Sequence, residues 1–238
     1  MSTLPTVRRG LTADRRGLTA DRRGLAADRP LNRIADIEAI SRPARTFTGD
    51  FYFTHHTNDR VWLALGDVAG KGLPAAIVMA MIQEELEHLI ASCAATACDP
   101  ARTMARLHDF LLPLMPQNRF ATAVMGTLSE DGTLTIVNGG HCPPLILRRD
   151  GSIEEIGSTG PILGILRIAK WRTFTTRLEE GDTLVLYSDG VTESERNGEE
   201  LGVCGLRKLI GEVGSSPAAL LRELREVGDD VTLVTVRR

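Results

Sequence analysis

Acidic side chains stand at the predicted ends and turns of several strands. Asp50 lies in one strand-like segment and Asp67 ends the next, so a hairpin pairing would bring their side chains together. Asp189 ends the apolar strand "TLVLYSDG", and Asp229 and Asp230 open the last strand. Each could be a turn or cap residue taken alone. As a set they would repel one another unless cations lay among them, and oxygen-only ligands favour Mg²⁺ or Mn²⁺ over zinc.

The loop that follows Asp67 has the composition of an ion-binding loop. The stretch "GDVAGKGLPAA" joins the apolar run "RVWLAL" to a long helical pattern. An ordinary loop uses Gly and Asp as turn formers, whereas a loop that holds a metal ion or a phosphate uses the same residues for their chemistry. The loop by itself leaves both interpretations open.

Composition indicates a soluble globular protein with one sizeable core. The chain has 238 residues, of which 42% are hydrophobic and 25% charged. No apolar run approaches the ~20 residues that a membrane span requires, and no secretory signal pattern opens the chain, so we expect a cytoplasmic protein without a membrane partner. The cysteines lack CxxC pairs and zinc spacing, which favours small core residues over a zinc or disulfide framework. They are Cys93, Cys98, Cys142 and Cys204.

Residues 1–33 form a basic leader with an internal repeat. It contains "RRGLTAD" twice and "RRGLAAD" once, and its eight arginines face only three aspartates, whereas the whole chain has a formal charge of −3. Leucine recurs every seven residues, but the position four residues on is arginine, so the coiled-coil seam is poor. We expect a flexible leader rather than a helix that forms on dimerisation, although a homodimer stays open. The tract lacks aromatic residues, so nucleic-acid binding is not predicted.

From Ile34 onward the pattern is that of an α+β protein. Helices are predicted over residues 73–92, 100–115, 205–212 and 217–227. Hairpin signals between the strands favour a largely antiparallel sheet with helices packed on its faces. The predicted strands lie within residues 45–56, 60–68, 120–129, 133–140, 143–149, 171–178, 182–190 and 230–238.

Six segments resemble, in the same order, the successive motifs of a known enzyme family. The chain is similar over about residues 38–238 to bacterial serine phosphatases of the PPM (metal-dependent, protein phosphatase 2C-like) family, in the branch related to stage II sporulation protein E. Six ordered motifs are far more specific than any one of them. The segments are "TGDFYF", "GDVAGKGLPAAIVMA", "NRFATAVMGTL", "LTIVNGGHCPPLIL", "GDTLVLYSDGVTESERNGEELG" and "DDVTLVTVRR".

The resemblance implies a fold and a reaction. The fold would be a four-layer α-β-β-α sandwich of two mostly antiparallel sheets flanked by helices, formed by residues 34–238. Two Mn²⁺ or Mg²⁺ ions would lie at one end, where a metal-bridging water attacks phosphoserine or phosphothreonine without a covalent enzyme intermediate. The implied metal ligands, among which the aspartates at 50, 67 and 189 are also catalytic, are Asp50, Asp67, the Val68 carbonyl, Asp189 and Asp229.

Some positions within the resemblance leave alternatives open. Lys71 could attract the phosphate or help to protonate the leaving oxygen as a catalytic residue, or it could be a solvated loop charge. The family usually reads "GGDFYD", but here Thr48 replaces the first Gly and Phe53 replaces the last acid. Loss of that acid could lower activity. His141 could be a general acid, although the loop that contains it resembles a structural loop of the family.

The expected function is that of a metal-dependent serine/threonine phosphatase acting on a phosphorylated bacterial regulator. By resemblance the substrate would be of the anti-sigma-factor antagonist type, but a fold does not fix a substrate. The alternative is a degenerate, non-catalytic module that binds a phosphorylated partner. Hydrolysis of small phosphate esters is a weaker hypothesis, because the sequence has neither a Walker A loop nor a DxDx motif.

Overall fold

The structure of the chain, a computed structural model, describes residues 34–44, 46–57, 59–92, 99–115, 119–225 and 228–238. The predicted flexible leader therefore lies outside the described residues, as do Cys93 and Cys98. Within the described ranges, no helix is long and apolar enough to span a membrane.

Two five-stranded sheets form the centre of the molecule, and adjacent strands in both pair antiparallel. Strand numbers follow the chain, whereas the order of the strands across each sheet is different. Across the first sheet lie β1 (Asp36–Arg42), β12 (Val231–Arg237), β9 (Thr183–Tyr187), β6 (Leu145–Leu147) and β7 (Ile153–Glu155). Across the second lie β2 (Phe51–His56), β3 (Arg60–Val68), β4 (Ala121–Ser129), β5 (Thr133–Gly139) and β8 (Phe174–Arg177).

Helices cover the outer face of each sheet. The second sheet packs against α1 (Leu73–Ser92) and α2 (Pro100–Leu111), and the first packs against α4 (Gly202–Val213) and α5 (Pro217–Glu223). A single-turn helix, α3 (Asp189–Thr192), and a small hairpin of β10 (Glu195–Arg196) and β11 (Glu199–Glu200) follow β9.

Successive side chains along each strand point to opposite faces of the sheet, which produces a separate hydrophobic core on each face. In β3, Trp62 and Ala64 pack towards the helices, whereas Leu63 and Leu65 fill the space between the sheets. Successive side chains of a strand point to opposite faces, so a strand buried on both faces reads as a continuous apolar run. The layers are helix, sheet, sheet and helix, which confirms the predicted α+β four-layer sandwich.

Several element boundaries differ from those predicted. No strand was predicted over residues 36–42, yet β1 forms the edge of the first sheet by pairing with β12. The first predicted strand starts at Phe51 rather than at residue 45, because the main chain before it turns towards Asp230, which accepts a hydrogen bond from Gly49 N–H.

The predicted C-terminal ends of two helices lie several residues beyond the observed ends. Helix α2 ends at Leu111 rather than at residue 115, and Pro113, which cannot continue the main-chain hydrogen bonds, follows closely. Helix α5 ends at Glu223 rather than at residue 227. There Leu224 adopts extended backbone and Arg225 exchanges main-chain hydrogen bonds with Glu195.

Leu65→Ala should lower the free energy of unfolding by ~2–5 kcal/mol, because it removes a fully buried side chain from the inter-sheet core. Chemical denaturation followed by circular dichroism measures this change. The control is Ile168→Ala, whose side chain is 84% exposed and whose loss should change stability by no more than ~0.5 kcal/mol. Equal effects of the two substitutions would contradict the described core.

Candidate metal centre

The β2–β3 hairpin brings Asp50 and Asp67 to the same end of the second sheet. Phe51 pairs with Gly66, so Asp50 and Asp67 come next in register at the end of this ladder. Asp50 lies immediately before β2 rather than within it and is only 4% exposed. Its Oδ2 accepts a hydrogen bond of 2.7 Å from the Thr232 hydroxyl on β12, which belongs to the other sheet. Asp50 thus links the two sheets at this edge.

The ends of β9 and β12 bring the other acids to the same edge. Ser188 and Thr232 exchange hydrogen bonds: Ser188 N–H donates to the Thr232 carbonyl at 2.9 Å, and Thr232 N–H donates to the Ser188 hydroxyl at 2.8 Å. Asp189 begins α3 directly after Ser188. A Cβ at Gly190 would collide with the carbonyl oxygen of Asp230, so the glycine allows α3 to lie against the chain at Asp229 and Asp230.

The aspartates raise one another's affinity for protons. Burial raises the pKa of Asp50 to about 7 although hydrogen bonds from Thr232 and Ser188 oppose the rise, and repulsion from Asp67 and Asp230 adds to it. Burial first, then repulsion from Asp189, Asp229 and Asp230, raises the pKa of Asp67 to about 6. The pKa of Asp189 is raised by the same two causes, burial and repulsion from Asp229. The structure therefore brings together the four acids that the sequence singled out.

The Val68 carbonyl faces the same space as the Asp67 carboxylate. A Cβ added at Gly49 would lie 2.6 Å from Asp67 Oδ1 and 2.8 Å from Val68 O. These two oxygens therefore border a space that only glycine at position 49 leaves open. A carboxylate and a main-chain carbonyl that share an open space are ligands that suit a hard divalent cation.

A cavity of about 90 Å³ opens at this edge. At the cavity, Lys71 Nζ lies 3.1 Å from Asp229 Oδ2, in a partly exposed ion pair. Asp230 accepts hydrogen bonds from Ala44 N–H at 2.7 Å and from Gly49 N–H at 3.2 Å. Residues that line the cavity include Phe47, Gly49, Asp67, Lys71, Asp229 and Asp230.

The carboxylates are close enough to repel one another but are turned towards protein donors. In the part of the chain that the structure describes, no three Asp, Glu, His or Cys side chains already converge in the geometry of a bound metal ion. Asp50 faces the Thr232 hydroxyl and Asp229 faces Lys71. A cation would have to take the place of Lys71 beside Asp229. The oxygen-only donor set and the unfavourable burial of its charges fit Mg²⁺ or Mn²⁺.

Sequence reasoning missed several residues that support this edge. The Thr232 hydroxyl links the two sheets through Asp50, and Ser188 joins the ends of β9 and β12 beside the acids. Arg119 lies over Gly70, where its Nη1 would be 2.7 Å from an added Cβ, and that atom is buried without a hydrogen-bond partner. Ser188 adjoins Asp189 and could have been noticed, but Thr232 and Arg119 lie far from their partners in sequence and carry no local signal.

Neither Phe53 nor His141 takes a direct part in the acid cluster. Phe53 packs into the core beneath α1, so the position of the family's last acid is here part of that core. His141 is buried, its Nδ1 lies 2.9 Å from the Thr122 hydroxyl, and its main-chain N–H donates to Asn138. Burial lowers the pKa of His141 to about 4. These contacts favour the structural-loop interpretation over a general acid.

Comparisons with known proteins agree with the fold. The fold and the acid-lined edge define a protein phosphatase 2C-type sandwich. The chain belongs to the stage II sporulation protein E (SpoIIE) family, whose profile matches residues 57–238, and this confirms the resemblance. It is 30% identical over 221 residues to the phosphoserine phosphatase RsbU of Bacillus subtilis (strain 168), covering 88% of this chain but only 65% of RsbU.

Solved structures show the same fold. The structure of the RsbU and RsbW domains of Rv1364c from Mycobacterium tuberculosis matches with a TM-score of 0.74 at 25% identity, over 86% of this chain and 61% of that one. The phosphatase domain of SpoIIE from Bacillus subtilis, solved with a fragment of its regulatory domain, matches with a TM-score of 0.71 at 19% identity, over 85% of this chain and 63% of that one. This chain thus spans less than two thirds of the length of these relatives.

The raised pKa values predict how stability depends on pH. Because Asp50 and Asp67 titrate at about 7 and about 6 rather than at 3.8, the folded chain holds protons that the unfolded chain releases. Their contribution to the free energy of unfolding, in protein treated with chelator, therefore falls as the pH rises from about 4 to about 7. Asp50→Asn should remove the pH-dependent contribution of Asp50 to the free energy of unfolding. The melting temperature of this variant, measured relative to that of the wild type, should therefore rise between pH ~4 and pH ~7.

Thermal unfolding in the presence of chelator measures this relative gain, and each 1 kcal/mol corresponds to ~2–4 °C in a chain of this size. Asp150→Asn is the matched control, since Asp150 is an exposed turn carboxylate whose pKa is lowered by hydrogen bonds from Ser152. Its melting temperature relative to the wild type should not rise with pH. A difference in melting temperature between Asp50→Asn and the wild type that stays constant from pH ~4 to ~7 would contradict the raised pKa of the buried Asp50 carboxylate.

Proposed function

We propose that this chain is a metal-dependent protein phosphatase that hydrolyses phosphoserine or phosphothreonine on a bacterial regulatory protein. The observation that carries the proposal is the meeting of Asp50, Asp67, Asp189 and Asp229, from separate chain segments, at one edge of the sandwich, where burial disfavours the charges of the first three. Similarity to RsbU, which is named a phosphoserine phosphatase, supports the same reaction.

The proposed ligands of two Mn²⁺ or Mg²⁺ ions are oxygens of the acid cluster. When bound, such a pair activates water for in-line attack and neutralises charge on the phosphoryl oxygens. The β2–β3 hairpin and the Ser188–Thr232 contact fix the main chain that carries Asp50, Asp67 and Asp189. The assigned ligand atoms belong to Asp50, Asp67, Val68 (main-chain carbonyl), Asp189 and Asp229.

Lys71 is assigned to attract the phosphate. Its ammonium lines the cavity and already neutralises Asp229, so it is a cation held beside the acids before any ion enters. Once released from Asp229, the same ammonium can pair with a phosphoryl oxygen or donate a proton to the leaving serine oxygen. The following helix α1 starts at Leu73 and adds its positive end to the same region.

The proposed substrate is a phosphoprotein of the anti-sigma-factor antagonist type. A solved relative contains RsbU and RsbW domains in one protein, which supports a partner-switching role. In this proposal residues 34–238 form the phosphatase domain, and the basic leader is a separate segment through which a homodimer could form. The non-catalytic alternative is disfavoured because Phe53 lies in the core, so its lack of a carboxylate does not break the set of four acids.

Release of phosphate from a phosphoserine protein with Mn²⁺ tests the proposed reaction. Asp67→Asn and Asp189→Asn should each reduce kcat/KM by more than the ~10–100-fold that loss of an outer-shell partner costs, and chelator should stop the wild type. Asp150→Asn, at an exposed turn, should retain full activity. Full activity in either site variant would refute the assignment, and binding of the phosphoprotein without any release of phosphate would favour the non-catalytic module.

Gly49→Ala should lower the affinity for Mn²⁺ by at least ~10-fold, because the new methyl group would fall on Asp67 Oδ1 and Val68 O. Isothermal titration of the chelator-treated protein with Mn²⁺ measures this. Gly157→Ala is the control, since its added Cβ meets no atom within 4 Å. Unchanged Mn²⁺ affinity in Gly49→Ala would show that ions do not bind between these two oxygens.

A further inference from the structure

A large apolar side chain stands at the mouth of the acidic cavity. Phe47 lines the cavity together with Lys71, Asp67 and Asp229, yet 45% of its surface is exposed. Single exposed apolar residues are common on protein surfaces and need no explanation. Phe47 differs from those because it borders the cavity to which the phosphate-binding and metal-binding groups are assigned.

The loop that carries Phe47 is fixed to the acid cluster itself. The carboxylate of Asp230 accepts the main-chain N–H groups of Ala44 and Gly49, one on each side of Phe47. The Thr48 hydroxyl accepts a hydrogen bond from Asp50 N–H at 3.0 Å. Asp230 therefore acts as an anchor for this loop, and the position of the aromatic ring is coupled to the position of the acids.

The size of the cavity determines which part of a substrate reaches the acids. At about 90 Å³ it is far smaller than the ~300–1,000 Å³ of a typical ligand pocket, so it suits a phosphoryl group rather than the residues beside it. The side chains next to a phosphoserine must then lie on the rim. There Phe47 offers an apolar surface.

We propose that Phe47 forms an apolar subsite for the side chain adjacent to the phosphorylated residue, and so determines which phosphoproteins this chain accepts. The proposal rests on the proposed phosphatase function and adds the substrate feature that it selects. An aliphatic side chain on the ring would remove apolar surface of both partners from water, which is worth ~10-fold or more in kcat/KM. A serine side chain there would gain almost nothing from the ring.

The test compares phosphoserine peptides that differ only beside the phosphoserine, with leucine or serine on either side. For the Mn²⁺-loaded wild type we expect kcat/KM for the better leucine peptide to exceed that for its serine counterpart by at least ~10-fold. Phe47→Ala should reduce this ratio to within ~3-fold of unity, and Phe47→Leu should keep most of it. Because both peptides are measured with the same protein preparation, a general loss of activity or of folded protein affects both kcat/KM values equally and leaves their ratio unchanged.

The matched control is Phe174→Ala, since Phe174 is 40% exposed on β8, outside the cavity lining. It should leave the ratio unchanged. A wild-type ratio near unity, or the same ratio in Phe47→Ala, overturns the proposal while phosphate release still supports the phosphatase assignment. A changed oligomeric state of Phe47→Ala in light scattering, with an unchanged ratio, would assign Phe47 to an interface between copies and also overturn it.

If no peptide is hydrolysed, the proposed function fails, and fluorescence anisotropy of the same labelled peptides with the Mn²⁺-loaded wild type decides this inference separately. A leucine preference in Kd that is lost in Phe47→Ala supports the subsite. Equal affinities for the leucine and serine peptides reject it.

Discussion

Burial of several like charges at one edge of the sandwich is the constraint on which the rest of this structure depends. Two unit charges at 4 Å repel by ~4 kcal/mol at the effective dielectric of a protein surface, and burial adds a further cost. Fixed donors offset part of this cost: the Thr232 hydroxyl serves Asp50, and Lys71 serves Asp229. Burial, and after it the remaining repulsion, raises the pKa values of Asp67 and Asp189, and the repulsion would also raise their affinity for divalent cations.

The architecture keeps these charges together because the backbone, rather than long side chains, positions them. Asp50 and Asp67 are tied by hairpin register, and Asp189 is tied to β12 through Ser188 and Thr232. Glycine completes the arrangement where chains must approach closely. Gly190 allows α3 to lie on the chain before β12, and Gly49 leaves the Asp67 carboxylate and the Val68 carbonyl open. A site built in this way is rigid, which is what a metal centre requires.

The two adjacent acids before β12 have different surroundings. Asp229 faces the cavity and pairs with Lys71, whereas Asp230 accepts two main-chain hydrogen bonds from the loop before β2. A carboxylate with both oxygens engaged in this way is better suited to hold a loop than to bind an ion. The anchor explains why the chain before Phe51 leaves the sheet, and it couples the loop that contains Phe47 to the acid cluster.

The features of the fold and the site that could be predicted from the sequence are those whose sequence patterns lie within a short segment or a recognised motif. The hairpin that pairs Asp50 with Asp67 follows from alternation and turn residues within a short segment, and the four-layer fold and the family followed from ordered motifs. The small β10–β11 hairpin was missed although its Asn197-Gly198 turn, with φ of 57° and 83°, is a strong local signal.

Contacts between distant segments could not be predicted from a single sequence. The bond from Thr232 to Asp50 spans 182 positions, and the ion pair between Lys71 and Asp229 spans 158. Strand β1 was missed because its side chains are mostly half-buried or exposed, so its apolar alternation is weak, and pairing with β12 stabilises it. Only the assembled sandwich reveals these partners.

The most direct test of the central claim is anomalous diffraction from crystals of the protein loaded with Mn²⁺. We expect two peaks at the acid cluster, each within ~2.0–2.6 Å of oxygens from Asp50, Asp67, Val68, Asp189 or Asp229. Density for Mn²⁺ elsewhere on the protein, with none among these oxygens, would contradict it.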